Sequence, residues 1–549
     1  MANNKLSVLP ASSQTEYAIQ RLLEVLRWPW FSLLLASIIL IVRVAQMDRP
    51  DILVDDAFIS FRYAHNLAQG QGLVFNPGER VEGYTNFLWT MLLAGCAWLG
   101  LDLVPASKTL SILATLGTLA GLSALGRALF AGRPRAGLQA GLPPLLYATM
   151  GSQARHVVSG METPLFVLLV TLAVYVGIYR RQPLLTGGLF ALAAMTRPEG
   201  LMYLVLFCGY QLLTTRDGRL PQTLTLLAGF LALYGAYFLW RYAYYGYLLP
   251  NTFYAKASGF HWMRLARGWD YLRQLVSWWG LAPFLLLASL SLLSLRREQS
   301  WGLFLLFVLA TLAYFVFVGG DFIVWFGPRF LMPILPFLLL MSVEGLTRLN
   351  QVAWLAQRVG LWVELLAAGL LLVNAYGFSW PARYFDADIF TTQMRGWAEL
   401  GRWIATNTPP DTSLASDAAG LIPFYSSRHT IDMYGKTDLH IAHLDLAGRS
   451  PGIVAHEKFD PYYVLQRQPD CIVSTFIDEQ GGALASGLPL VKEEFEAAYS
   501  LAAVARVKNG PPPDGQWVLS VQGYSTELYR AGYTSGLYCR RQFLAGGGG

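Results

Sequence analysis

Long apolar segments separated by short polar ones fill the chain from about residue 28 to residue 378. Each segment is close to the roughly 20 residues that an α-helix needs to cross a bilayer. After residue 379, polar residues, prolines and short alternating runs return, which is typical of a soluble domain. The pattern predicts a polytopic α-helical membrane protein with one soluble domain at the C-terminus.

The composition agrees with a chain whose main solvent is lipid. Of its 549 residues, 54% are hydrophobic and 14% are charged, whereas soluble chains carry about 25% charged residues. The mean hydropathy is +0.39. The net charge of +6 is modest, and the arginines cluster in short loops. This clustering of arginines in short loops signals the orientation of the chain in the membrane and excludes a nucleic-acid-binding face.

The short loops predict which side of the membrane each segment faces. By the positive-inside rule, arginine-bearing loops lie in the cytoplasm. The arginines concerned are Arg21, Arg27, Arg180, Arg181, Arg216, Arg219, Arg296, Arg297, Arg348 and Arg358. Alternation then places residues 1–27 inside the cell, and the loop 48–83 and the soluble domain 379–545 outside it. Residues 28–378 form the predicted transmembrane catalytic domain.

Residues 84–100 do not fit simple alternation. If Arg133 and Arg135 are cytoplasmic, this apolar stretch cannot be a plain crossing, and we predict a re-entrant or interfacial helix that leaves about eleven spans. The alternative is that the charge rule, which is statistical, fails locally.

Near the N-terminus, the first apolar segment is predicted to be a retained membrane anchor. The glycines at 546–549 resemble an engineered scar.

The four cysteines fall into two groups. Cys96 and Cys208 lie in apolar segments, where a buried, inert thiol is expected. Cys471 and Cys539 lie in the soluble domain, where a disulfide and two free thiols both remain open.

Two adjacent aspartates, Asp55 and Asp56, directly follow the first apolar segment. Neighbouring carboxylates raise each other's pKa. One of them could take a proton from an attacking hydroxyl while the other orients it or binds a divalent cation. The alternative is a solvated loop with two ordinary aspartates. The same loop continues with glycines, amides, carboxylates and aromatic residues, a mixture that suits a sugar site.

Arg197, Lys256 and Arg329 lie at or near the predicted outer ends of apolar segments. A cation at such a depth is costly without an anionic partner, and a lipid phosphate would be one. The alternative for Arg329 is a structural ion pair with Asp321.

Arg197 also has a structural alternative, because Glu162 and Glu199 are both candidates for an ion pair with it.

No nucleotide-binding loop, zinc-protease motif, serine-hydrolase motif or regular cysteine–histidine spacing is present in the sequence. The energy for any reaction therefore comes with a preactivated substrate.

The chain resembles the GT-C superfamily of membrane glycosyltransferases, and within it the AftB-like terminal arabinofuranosyltransferases of mycobacteria. The resemblance runs from about residue 50 to 470. It rests on the segments DDAFISFRYAHNLAQGQGLVFNPGERVEGYTNFLW, SGMETPLF, TRPEG, YYGYLLPNTFYAKAS and IPFYSSRHTIDMYGKTDLHIA. It implies an inverting transfer from decaprenyl-phosphoryl D-arabinofuranose, or a close relative of it, to a cell-surface glycan. Separately, we expect a monomer that requires no cofactor, with a divalent cation left open.

The resemblance implies the role of Asp55, and the chemistry and position of the side chains suggest the roles of the other residues. Asp55 would be the general base, with Asp56 as its partner or as the ligand of a divalent cation such as Mg, Mn or Ca. The expected phosphate-binding residues are Arg62, Arg197, Lys256 and Arg329. The expected sugar contacts are Glu82, Tyr84, Asn86, Glu162 and Asn251.

The soluble domain begins with an amphipathic stretch at 391–406, followed by strand-like runs. These runs are 414–416, 430–433, 471–474, 502–507 and 526–529. Helical segments lie between them, so we predict a mixed α/β domain that docks the acceptor or covers the active site.

Other functions remain open from the sequence. A lipid-sugar transporter would place its site near the membrane midplane between internal repeats, and no repeat is evident. A structural subunit would not need the acidic loop. Within the enzyme class, the donor could carry another pentose or a hexose, and the acceptor could be a protein or a lipid.

Overall fold

The structure is a computed structural model that describes twelve stretches of the chain. They are residues 29–48, 53–133, 135–214, 219–256, 262–278, 281–295, 298–320, 329–349, 361–377, 387–445, 456–521 and 523–541. Predictions for residues 1–27, for Asp321 and for residues 546–549 concern positions outside these stretches.

The first part of the chain is helical, as the apolar segments predict. Its helices are α1 (Pro29–Met47), α2 (Asp55–Ala68), α3 (Phe87–Trp98), α4 (Leu103–Leu129), α5 (Ala136–Thr149), α6 (Gly151–Val158), α7 (Thr163–Tyr175), α8 (Pro183–Thr196), α9 (Gly200–Thr214), α10 (Arg219–Phe230), α11 (Ala236–Tyr245), α12 (Asn251–Lys256), α13 (Trp262–Trp278), α14 (Leu281–Leu290), α15 (Ser300–Val318), α16 (Leu335–Leu349) and α17 (Leu361–Gly377). Glycines in the left-handed region end two of them: Gly246 (φ 81°) ends α11, and Gly319 (φ 86°) ends α15.

Within the described stretches, six segments are long and apolar enough to cross a membrane. They are Trp30–Met47, Leu103–Leu129, Thr163–Arg180, Leu220–Tyr245, Ser300–Val318 and Arg329–Leu349. Shorter apolar helices are Phe87–Trp98, Pro183–Thr196, Gly200–Thr214 and Leu281–Ser294. The helix predicted within 84–100 is present as the 12-residue α3, which at 1.5 Å per residue is too short to cross alone. The total of about eleven spans stays a prediction.

Arg133 and Arg348 lie together in the structure, on either side of a buried carboxylate. Glu344 on α16 is fully buried and accepts a hydrogen bond from Arg133 at 2.5 Å. The same carboxylate lies 3.1 Å from the guanidinium of Arg348. A buried carboxylate needs such partners. Arg133 lies just before α5 and Arg348 lies in the last turn of α16, so the ion pairs lie at one end of these helices.

The C-terminal part is a mixed α/β domain, which confirms the predicted fold class. Its elements are α18 (Ala387–Asn407), β1 (Ser413–Ser416), α19 (Leu421–Ser426), β2 (His429–Asp432), α20 (Leu439–Ala442), α21 (Pro461–Gln466), β3 (Cys471–Ser474), α22 (Lys492–Ala498), β4 (Tyr499–Arg506), β5 (Val518–Ser520), α23 (Thr526–Arg530) and β6 (Tyr533–Arg540). The sheet order is β2-β1-β3-β6-β4-β5. β1 pairs in parallel with β2 and β3, and the remaining pairs are antiparallel.

A disulfide joins the central strands of this sheet. Cys471 on β3 and Cys539 on β6 are register partners and are bonded to each other. Of the two states that the sequence left open, the structure has the disulfide.

One predicted strand is wrong. Residues 526–529 form the helix α23, because the Ser525 side chain accepts a hydrogen bond from the Leu528 amide and caps the first turn.

The soluble domain and the helix α2 share one apolar core. Phe58 and Phe61 of α2 pack against Phe424, with ring centroids 5.3 and 6.1 Å apart. Leu421 and Ile422 of α19 belong to the same buried cluster. This packing brings the loops that follow β1 and β2 to the first turn of α2.

Candidate active site

The aspartates Asp55 and Asp56 occupy the first turn of α2. The chain is extended at Val54 (φ −78°, ψ 138°) and turns into the helix directly afterwards. Carboxylates are favoured at a helix N-terminus, where the macrodipole is positive. Successive residues of a helix point about 100° apart, so the two carboxylates face different neighbours.

The soluble domain holds the Asp55 carboxylate through two main-chain amides. The amide of Leu421 donates to Oδ1 at 2.7 Å, and that of Gly420 donates to Oδ2 at 3.1 Å. Residue 420 is a glycine because a Cβ there would lie 1.8 Å from the Asp55 carbonyl oxygen. Burial raises the pKa of Asp55 to about 6, although the hydrogen bond from Leu421 opposes this. Asp55 is therefore suited to accept a proton near neutral pH.

Cations surround the Asp56 carboxylate instead. The ammonium Nζ of Lys436 lies 2.7 Å from Oδ1, and Nη1 of Arg329 lies 4.0 Å from Oδ2. Burial acts to raise the pKa of Asp56, but the charges of Lys436, Lys256 and Arg329 outweigh it and hold the pKa below its usual range. Asp56 stays ionised while Asp55 can exchange a proton, a division of roles that is common between paired catalytic carboxylates.

A third carboxylate, Asp417, lies close enough to Asp55 for their charges to interact. It follows β1 and accepts hydrogen bonds from the amide and hydroxyl of Thr475, each at 2.9 Å. Burial raises the pKa of Asp417 to about 7, and the charge of Asp55 adds to this.

The sequence reasoning missed Asp417 and Lys436 as site residues. Lys436 lies within a segment that carries the resemblance, IPFYSSRHTIDMYGKTDLHIA, and this was the available signal.

Three of the predicted phosphate-binding residues lie near one another. Lys256 and Arg329 act on Asp56, and the guanidinium groups of Arg329 and Arg197 lie 5.4 and 5.2 Å from the ring centroid of Phe330. Arg197 also lies in a buried ion-pair network. Arg197 is 2.7 Å from Glu162 and 2.8 Å from Glu199. This is the structural alternative that the sequence left open for Arg197. The alternative partner of Arg329, Asp321, lies outside the described residues.

Arg62 requires a correction. Its guanidinium is buried and donates to the carbonyl oxygens of Phe75, Pro423 and Arg428 and to the side chain of Asn76, at 2.5–3.1 Å. These bonds fasten α2 to the soluble domain. Because the guanidinium is committed to these acceptors, we do not retain Arg62 as a phosphate-binding residue.

The five predicted sugar contacts have protein partners in the structure, and each is at most 6% exposed. Glu82 pairs with Arg241 through both carboxylate oxygens, at 2.9 and 2.7 Å. The hydroxyl of Tyr84 contacts that of Tyr245 at 3.1 Å. These side chains brace the loop against the helices.

The other three predicted sugar contacts also have protein partners. The Asn86 amide donates to Glu162 at 2.9 Å, and Glu162 also pairs with Arg197. Asn251 donates to the carbonyl oxygens of Gly435, Lys436 and Asp438. The Oδ1 atom of Asn251 accepts no hydrogen bond within the described residues, and the five sugar-contact assignments stay predictions.

The neighbours of Asp56 do not fit the divalent cation that the sequence pattern left open. The groups aimed at its carboxylate are an ammonium and a guanidinium, and cations repel a metal ion. No group of three or more histidine, cysteine, aspartate or glutamate residues suited to a metal ion occurs in the stretches that the structure describes. We derive no catalytic step through a metal at Asp56.

The fold is that of the GT-C membrane glycosyltransferases. Three features define this class here: a bundle of apolar helices, an acidic helix N-terminus after the first span, and a C-terminal α/β domain packed over that helix. The solved structure of ArnT from Cupriavidus metallidurans bound to undecaprenyl phosphate is similar. It superposes with a TM-score of 0.55 and 13% identity, covering 93% of this chain and 97% of that one.

Two curated relatives share sequence with the chain, and both are named terminal β-(1→2)-arabinofuranosyltransferase. The one from Mycobacterium tuberculosis is 31% identical over 270 residues, 45% of this chain and 42% of the relative. The one from Corynebacterium glutamicum is 29% identical over 348 residues, 53% and 47% respectively. The chain thus spans less than half the length of these relatives. Residues 387–529 match a family described as a domain of unknown function, DUF8728.

Proposed function

We propose that the chain is a glycosyltransferase that moves D-arabinofuranose from a polyprenyl-phosphate donor to a hydroxyl of a cell-surface glycan. The observation that carries this proposal is the pair Asp55 and Asp56. One carboxylate is poised to take a proton, and beside it the other lies among cations that suit a phosphate. The names of the two relatives support the sugar and the reaction class. The undecaprenyl phosphate bound to ArnT supports a polyprenyl-phosphate ligand for this fold.

In the proposed reaction Asp55 is the general base. The acceptor hydroxyl gives its proton to the Asp55 carboxylate while its oxygen forms a bond to the anomeric carbon of the donor sugar. The bond from that carbon to the phosphate oxygen breaks, and polyprenyl phosphate leaves with the electron pair. A single displacement inverts the anomeric configuration. Base catalysis of this kind contributes about 10²–10⁴-fold to a rate.

The cations near Asp56 would stabilise the leaving group. Negative charge grows on the phosphate as the bond breaks, and preorganised positive groups lower the energy of that transition state. Arg329 and Lys256 are the predicted residues that act at this point. They come from separate parts of the chain, so their convergence supports a binding role.

Two observations support an extracytoplasmic site. The disulfide between Cys471 and Cys539 is of the kind that persists in oxidising compartments. Arg133 and Arg348 meet at Glu344, and the positive-inside rule assigns that end of the bundle to the cytoplasm. The location of the acidic helix outside the bundle core favours an enzyme over a transporter, whose site would lie at the midplane.

A donor panel tests the proposed function. Purified protein is given polyprenyl phosphates that carry labelled arabinofuranose, ribofuranose, mannose or glucose, together with an arabinan oligosaccharide. We expect label to reach the acceptor from the arabinofuranose donor. Transfer from a hexose donor alone would overturn the sugar assignment, and absence of transfer from every donor, with an acceptor panel that includes peptide and lipid, would overturn the enzyme assignment.

A further inference from the structure

Lys436 lies in the soluble domain, in the loop between β2 and α20, and reaches across to the first turn of α2. We propose that Lys436 binds the phosphate of the lipid-linked donor, so that the C-terminal domain supplies part of the donor site. This inference rests on the proposed function and extends it to the C-terminal domain.

The ammonium group of Lys436 lies where three cations converge. Lys436 is 7% exposed, and its Nζ lies 2.7 Å from Oδ1 of Asp56. Arg329 approaches the other oxygen of the same carboxylate, and Lys256 acts on it as well. The three cations come from three distant parts of the chain, and a point where such side chains meet is suited to a multivalent anion.

The ammonium group also has hydrogen-bonding capacity beyond its ion pair. A lysine ammonium has three N–H donors. Within the part of the chain that the structure describes, its one hydrogen bond goes to Asp56. A phosphate oxygen can therefore accept from Lys436 while the bond to Asp56 remains.

The loop that carries Lys436 is held in place by its own contacts. The Asp432 carboxylate accepts from the amides of Tyr434 and Thr437, at 3.0 and 2.9 Å. Gly435 has φ +78°, and a Cβ there would lie 2.7 Å from the Ala442 amide nitrogen.

Asn251 provides the remaining support. Its side-chain amide donates to the carbonyl oxygens of Gly435, Lys436 and Asp438 at 2.9–3.1 Å. Asn251 lies in α12, the helix that ends at Lys256. One side chain thus links the loop of Lys436 to the element of a second cation, and such support is what a preorganised binding site requires.

The competing interpretation is that Lys436 only ties the soluble domain to α2 through its ion pair. Both interpretations predict lower stability when Lys436 is removed. They differ in the effect on lipid-phosphate binding, because a purely structural ion pair has no direct contact with the donor.

The test is the affinity of the purified full chain in detergent for decaprenyl phosphate, measured by thermal shift and by titration. We expect the lipid to stabilise the wild-type protein. Lys436→Met should raise the Kd about 10- to 100-fold, the typical effect of losing a charge-assisted hydrogen bond. Lys436→Arg should recover part of the affinity, and the KM for the donor should change while that for the acceptor does not.

Lys458 supplies a matched control. It is a buried lysine of the same domain, 5% exposed, and its Nζ donates to the Ala442 carbonyl at 2.7 Å. Lys458→Met should lower stability without changing the Kd for decaprenyl phosphate.

A pair of variants keeps the test valid if Lys436→Met unfolds. The double variant Asp56→Asn with Lys436→Met removes both charges, and its reference is Asp56→Asn alone. We expect weaker lipid binding in the double variant than in this reference.

The outcomes separate the two proposals. Equal lipid binding by the wild type and Lys436→Met, or by the double variant and its reference, would overturn the role of Lys436 and leave the proposed function standing. A wild-type protein that does not bind decaprenyl phosphate would overturn the lipid-phosphate donor itself.

Discussion

At the scale of single residues, two identical side chains acquire opposite properties because their neighbours differ. Asp55 meets two main-chain amides in a buried position, and its pKa rises. Asp56 meets Lys436 and the charges of Lys256 and Arg329, and its pKa falls. The residue pattern predicted that the pair matters, and the family resemblance pointed to Asp55 as the base. Two adjacent aspartates do not by themselves show which of them is the base.

The first prediction concerns the pH dependence of transfer. Burial raises the pKa of Asp55 from 3.8 to about 6, and a general base must be deprotonated to act. The logarithm of kcat/KM should therefore rise with a slope of one below pH 6 and level off above it. A steady-state assay between pH 4.5 and 8.5 measures this.

Unfolding at low pH is a separate effect and is controlled by thermal stability at each pH. Because the pKa of Asp55 is higher in the folded state, the contribution of this group to stability is greatest below pH 3.8 and is lost as the pH rises through 6. Asp55 itself thus does not destabilise the fold where activity falls. A rate that stays flat to pH 4.5, or that falls only with the melting temperature, would contradict the assignment.

The second prediction concerns metal ions. The groups around Asp56 are cationic, so a divalent ion has no reason to bind there. Transfer should be unchanged after dialysis against a chelator and after addition of Mg, Mn or Ca. A loss of activity that one of these ions restores would return Asp56 to the role of a metal ligand.

At the scale of elements, the close approach of α19 to α2 depends on Gly420. Its φ of −105° is one that any residue adopts, so the effect of a substitution there is steric. The third prediction is that Gly420→Ala displaces α19 from Asp55 and lowers both activity and stability, by an amount typical of overpacking, about 1–3 kcal/mol.

The control for Gly420 is Gly523 in the same domain, where a Cβ would meet nothing within 4 Å. Gly523→Ala should have wild-type activity and melting temperature. Equal effects of the two substitutions, measured by thermal unfolding and by transfer rate, would show that the close approach is not required.

The sequence predicted four of the six strands of the soluble domain, and the two others lack a periodic pattern of apolar and polar residues. β6 is buried along almost its whole length on both faces and contains Gly536, so it has no alternation of apolar and polar positions to detect. β5 has three residues, which is too short for a periodic pattern. The helix α23 resembled a strand because its cap, Ser525, was not recognised.

At the scale of the whole molecule, the site joins parts of the chain that are far apart in sequence. The Gly420 amide and Asp55 are separated by 365 residues, and Lys436 and Asp56 by 380. Hydrophobic periodicity predicts elements but not which of them pack together, so the acidic pair could be found from the sequence and its partners could not. The apolar core shared by α2 and the soluble domain creates the site.

The fourth prediction concerns orientation. In a background with Cys96→Ser and Cys208→Ser, a cysteine at Gln71 should react with an impermeant thiol reagent added to intact cells. A cysteine at Gln182, in a loop predicted to be cytoplasmic, should react only after permeabilisation. Both positions are exposed, so differences in labelling report sidedness. Equal labelling in intact cells would contradict an extracytoplasmic site.

The central claim is that Asp55 is the base of a sugar transfer, and the rate of transfer by Asp55→Asn tests it most directly. Asparagine keeps one hydrogen-bond acceptor for the amides and removes a buried charge, so we expect stability close to that of the wild type. Binding of decaprenyl phosphate should be retained. Transfer from decaprenyl-phosphoryl arabinofuranose to arabinan should fall about 10²–10⁴-fold, and a folded Asp55→Asn protein that transfers at the wild-type rate would contradict the account.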